Sequence, residues 1–166
     1  MTANTLENWA YFFMTASGVS ATLAGLVIVA VSVNIQQILK HPQLPPRASA
    51  TVAVLMLPVI IGLAALIPQS VSAFAVETFI VSAIGWLILL GCSRETIVAH
   101  VKSGRSAVEL VVGLSGGHIA AAALLVGGSL LRLGHSGGLY WIAAGTIAAL
   151  IFAVLNAWVF LIEVLR

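Results

Sequence analysis

His118 is the side chain in this sequence best suited to chemistry. It is an ionisable imidazole, preceded by Gly116-Gly117, in a run of 22 uncharged or histidine positions between Glu109 and Arg132. In such a setting a titratable ring could relay protons, gate with pH or line a pore. The alternative is a neutral histidine whose two nitrogens are satisfied by neighbouring hydroxyls or carbonyls. Counting from Glu109 puts it roughly 13 Å along a helix, close to the midplane of a membrane span. The two glycines leave room there for another helix, an ion or water.

Four weaker features accompany it. Pro58 falls inside a second apolar run, where it removes an amide donor and frees the Val54 carbonyl, so a kink is expected. Asn156 could hydrogen-bond between helices or touch a substrate. Thr15, Ser17, Ser20 and Thr22 make the start of the first apolar run hydroxyl-rich. They could line a vestibule or bond back to backbone carbonyls. Glu77 could form a ring of charges at an outer mouth in an oligomer, or be a solvated helix start.

These residues do not assemble into an active site. Glu77 belongs to one membrane face and Glu109 and Glu163 to the other, and the chain contains no Asp. There is no phosphate-cradling Gly-rich loop, no HExxH and no cysteine pair, since Cys92 is alone. His41, His100, His118 and His135 are too scattered for a metal cluster in one protomer. The expectation is a non-enzyme with no cofactor and no metal.

What positions these side chains must be a set of membrane helices. Of 166 residues 61% are apolar and 7% charged, where a soluble surface needs about a quarter charged. That excludes cytosolic enzymes, nucleic-acid readers, disulfide scaffolds and disordered tails. The fold class is therefore all-α, a single polytopic membrane domain over residues 1–166. A span needs about 20 apolar residues, and five such runs occur: about 11–33, 48–67, 72–91, 110–131 and 139–162. The first is too long, and its leader too poor in Lys and Arg, for a cleaved signal peptide.

The basic residues test that count. Lys40 and Arg47 flank the first connection, and none lies in the second. Arg94, Lys102 and Arg105 lie in the third, which reads as a loop, Arg132 alone in the fourth, and Arg166 at the end. Six of seven fall on one side. By the positive-inside rule the N-terminus is outside and the C-terminus cytoplasmic. Four spans with a re-entrant pair would break that pattern, and so would dual topology. The aromatic clusters Trp9, Tyr11, Phe12, Phe13 and Tyr140, Trp141 fit the outer headgroup layer, and Trp158 the inner. Trp86 does not fit an interface.

Close helix packing in lipid requires small residues at the contact. Three runs carry such stripes: Ser17, Ala21 and Gly25 in the first; Gly113, Gly117 and Ala121 in the fourth; Gly145, Ala149, Ala153 and Ala157 in the fifth. They either hold one protomer together or, most readily in the fifth run, join copies into a homo-oligomer.

The run Ser20-Ala21-Thr22-Leu23-Ala24-Gly25 followed by Val29-Ala30-Val31-Ser32-Val33 looks a little like the pore-lining first helix of the Orai calcium channels. Orai proteins have four spans, and the acidic residue of their selectivity ring has no counterpart here, where Ser32 and Asn34 stand. The helix direction is also reversed, and no residue role is carried over. Two function classes follow from the residues themselves. One is a small homo-oligomeric channel or transport subunit for ions or protons in a plasma or inner membrane. The other is a non-catalytic scaffold or accessory subunit of another membrane protein. The partners are the lipid bilayer, further copies, or that second protein, and not nucleic acid. If His118 and Pro58 face a hydrated cavity, transport gains; if both are packed, the scaffold gains.

Overall fold

The computed structural model describes residues 4–103 and 107–161, and they are helical almost throughout. A short α1 (Asn4–Glu7) precedes α2 (Ala10–Val33), and a six-residue α3 (Ile35–Lys40) leads to α4 (Leu44–Leu66). Then follow α5 (Val71–Ser103), α6 (Ala107–Arg132) and α7 (Gly138–Leu161). Five of these helices are long and apolar enough to cross a membrane: Ala10–Val33, Leu44–Leu66, Val71–Ala99, Gly113–Arg132 and Gly138–Leu161. Arg105, Glu163 and Arg166 lie outside the described residues.

Local chemistry accounts for the boundaries. Pro45 and Pro46 occupy the first turn of α4, where a missing N–H costs nothing, so the helix starts ahead of position 48. At its other end the Gln69 amide donates to the Ala64 carbonyl at 2.8 Å, and the Ser70 hydroxyl accepts from the Ala73 N–H at 3.2 Å to open α5. Gly134, at φ +84°, makes the turn between α6 and α7. The third connection corrects the sequence reading. Arg94, His100 and Lys102 are not in a loop, because α5 continues through them to Ser103. A charge ends the apolar run, but only Pro, Gly or a cap ends the helix, and none intervenes after Gly91.

The five long helices form a ring in which each packs on its chain neighbour and α7 returns to α2. α4 is the member of that ring that packs on all four of the others. Its core positions Val54, Leu55 and Ile61 are at most 1% exposed, and Pro58 is buried with them. The helix runs unbroken through Pro58. The closest approach is between α6 and α7. A methyl on Gly127 would lie 2.8 Å from the Gly138 carbonyl oxygen, and one on Gly138 would lie 2.9 Å from the Leu131 amide nitrogen. Glycines at the contact, here one on each helix, let two backbones come that close.

The small-residue stripes divide accordingly. Gly113, Gly117 and Ala121 of α6 and Gly145, Ala149 and Ala153 of α7 are buried inside the protomer, with Ala157 half-buried. A methyl on Gly145 would meet the Ala120 carbonyl at 2.9 Å. Gly145 thus lies against α6, while Ala153 belongs to the apolar cluster of Ala24, Val27, Leu55 and Phe160, with Ala157 packed against it. In α2, Ser17 packs against Gly62 of α4, but Ala21 and Gly25 are exposed, and nothing lies within 4 Å of where a Gly25 methyl would be. That stripe turns away from its own bundle because Ser17, Ser20, Ala24 and Val27, not Ala21 and Gly25, make the inward face.

Candidate functional site

His118 sits on α6 facing α5, between two side chains two turns apart on that helix. The Trp86 indole N–H donates to His118 Nδ1 at 3.0 Å, and Ser93 Oγ lies 2.8 Å from His118 Nε2. An indole nitrogen only donates, so Nδ1 must carry a lone pair. Completing both bonds then requires a neutral ring with its proton on Nε2, donated to the Ser93 oxygen. A proton on Nδ1 would remove the acceptor that Trp86 uses. Both ring nitrogens are therefore engaged by protein groups. The sequence pointed to His118 but not to its partners, although Trp86 carried a signal: a tryptophan away from the interfaces needs a partner for its N–H.

The ring also stands off-centre. Its lower partner, Ser93, is one residue from Arg94, so His118 lies toward the end of the bundle that carries Lys40, Arg47 and Arg94. Nor are the glycines before it vacant. A methyl on Gly116 would lie 2.6 Å from the Phe152 ring of α7, and one on Gly117 would lie 3.2 Å from the same ring and 3.3 Å from Val54 of α4. Of the occupants that the glycines leave room for, it is another helix, α7, that fills the space, through Phe152.

A second polar group lies beneath that ring. Arg47, in the first turn of α4, donates from Nε to Asn156 Oδ1 of α7 at 2.7 Å. Its guanidinium carbon lies 3.3 Å from where a Gly113 methyl would be, so the absent side chain on α6 makes room for the arginine. Arg47 is half-buried and Asn156 is 1% exposed. The Asn156 Nδ2 has no hydrogen-bond partner among the described residues. Nearby, Asn34 donates from Nδ2 to the Phe160 carbonyl of α7 at 2.9 Å. Two polar contacts thus fasten the last turns of α7, one to α4 and one to the α2–α3 junction. From its place in the sequence Arg47 reads only as a charge flanking a connection, because the α4 start that turns it inward is set by the prolines before it.

The remaining candidates do not converge. Ser20 is fully buried and its hydroxyl, with those of Thr78 and Ser82, lacks a partner among the described residues. Thr15 and Thr22 are exposed on the opposite face of α2, and Thr22 bonds back to the Gly18 carbonyl at 2.8 Å. Helical spacing separates them: positions 15 and 22 share one face and 17 and 20 another. Glu77 is exposed at the far end of the bundle, where its Oε2 accepts from Gln69 Nε2 at 2.8 Å. Pro58 lies in the core. Among the described residues no three His, Cys, Asp or Glu side chains come together to hold a metal. Comparison with protein-family models, with curated proteins and with solved structures returns no match.

Proposed function

We propose that this chain is a non-catalytic, multi-pass membrane subunit that acts through its lipid-facing surface, as scaffold or accessory subunit to another membrane protein. On this reading its N-terminus is outside and its C-terminus cytoplasmic. The observation that carries it is the closure of His118, with Trp86 and Ser93 on its two nitrogens and Phe152 filling the space beside its glycines. A residue that relays protons needs a nitrogen open to water or to another titratable group, and His118 offers neither nitrogen. The buried position of Pro58 supports the same reading, since a shape-setting proline has no reason to meet water.

A second reading, a homo-oligomeric channel passing ions or protons, rests on the outward face of α2. There Thr15, Gly18, Thr22, Gly25 and Ser32 are exposed at near-heptad spacing, a more polar and thinner surface than lipid contact calls for. In that arrangement the path runs between protomers rather than through one. Ion and proton flux into liposomes, measured from about pH 5 to 8 beside His118→Ala, separates the readings. The subunit reading expects no flux above empty liposomes in either protein, and the purified parent to bring a membrane partner with it. Flux that loses its pH dependence in His118→Ala overturns it. Flux that is indifferent to His118 and is changed by Thr22→Val supports the path between protomers.

A further inference from the structure

At the end of the bundle opposite Arg47, α5 and α6 touch closely at Gly128, where a methyl would lie 2.9 Å from the Phe79 amide nitrogen. Beside that contact runs a groove of about 490 Å3, lined by Val76, Phe79, Ser129, Arg132 and Leu133. Three of the five are apolar, and Phe79 and Leu133 are exposed. The Ser129 hydroxyl is turned back onto the Leu125 carbonyl at 2.8 Å. The polar feature presented to the groove is therefore the exposed guanidinium of Arg132, in the last turn of α6. Glu77, on the neighbouring α5 turn, does not line the groove and is held by Gln69 on the α4 side.

An apolar trough with, at its mouth, one guanidinium that no carboxylate among the described residues pairs has the chemistry of a lipid site. The trough takes an acyl chain, and the planar fork of an arginine suits two oxygens of a phosphodiester. A comparable groove of about 480 Å3 at the other end supplies the contrast. It is lined by Pro42, Arg94, Glu95, Val98 and Ala99, so its arginine is next to a carboxylate and its net charge is zero. We propose that the α5–α6 groove holds an anionic glycerophospholipid, with the headgroup phosphate on Arg132 and an acyl chain along Val76 and Phe79.

The test is lipid retention, read by native mass spectrometry of the full chain released from nanodiscs of equal phosphatidylglycerol and phosphatidylcholine. The parent should retain phosphatidylglycerol over phosphatidylcholine by about fivefold, the effect of one arginine near an anionic headgroup. Arg132→Gln should abolish that preference and Arg132→Lys keep part of it, while Arg94→Gln leaves it unchanged. Val76→Trp fills the groove with the charge intact and should cut retention of both lipids. Arg132 is exposed at a helix end, so its variants keep the fold, which gel filtration checks. No preference in the parent, equal loss in Arg132→Gln and Arg94→Gln, or undiminished retention in Val76→Trp would each overturn the proposal.

Discussion

Removing the hydrogen-bonding groups around His118 one at a time should cost stability and nothing in transport. Trp86→Phe deletes the indole N–H but keeps a ring, Ser93→Ala deletes the hydroxyl, and His118→Leu removes both nitrogens. The bonds are 3.0 and 2.8 Å long and cross from α5 to α6. Interhelical side-chain bonds in membranes couple by about 0.6 kcal/mol on average and about 1.7 at most. Both bonds hang on one ring and one tautomer and so are coupled; two bonds of that size amount to roughly 1–3 kcal/mol for loss of the pair. Reversible unfolding in mixed micelles, arranged as two double-mutant cycles, reads each coupling separately. Nitrogen NMR of labelled histidine reads the ring itself: an unprotonated Nδ1 and a protonated Nε2 are expected, and both should lose their hydrogen-bonded character in the matching variants. Couplings inside the roughly 0.3–0.5 kcal/mol scatter of independent sites, or a proton on Nδ1, would refute the closed-ring geometry.

The other expectations concern packing, the half-buried Arg47 and orientation. Gly138→Ala places a methyl against the α6 backbone and should destabilise by about 1–3 kcal/mol, whereas Gly25→Ala, with open space around it, should be neutral or gain up to about 1 kcal/mol. The same unfolding assay compares them, and equal effects would mean that the α6–α7 seam is not where the backbones meet. Arg47→Leu should cost about 1.5–3 kcal/mol, the range for a bond to a charged group, with most of that lost again in an Asn156→Leu background; full additivity of the two would break the pairing. In a Cys92→Ala background, an impermeant maleimide added to intact cells should label Ser136→Cys and not Gln36→Cys, and the reverse pattern would invert the proposed topology.

The spans were legible because lipid demands length: each of the five apolar runs corresponds to one long helix. Rotation about the helix axis was not. In a soluble helix the polar stripe marks the outside, but here lipid is as apolar as the core, so α2 and α5 carry no such contrast. Ala21 and Gly25 look like a packing face and point outward, while Gly127, which no stripe singled out, meets Gly138. The same blindness hid the partners of His118, which lie 25 and 32 positions away in sequence. Polar residues were better guides than small ones. His118 and Asn156 both proved to be bonded across helices, and what remained unread was the identity of the group at the other end.

The return of α7 to α2 has a practical side. The two helices are neighbours, joined near one end by the bond from Asn34 to the Phe160 carbonyl, yet with five crossings the start of α2 and the end of α7 lie at opposite ends of the bundle. Two copies cannot be joined head to tail by a short linker without turning the second upside down. A tandem fusion made to fix the number of subunits in an assembly must therefore carry an extra crossing between the copies. On the five-span reading proposed above, a reporter attached after α7 and one attached before α2 report on different compartments.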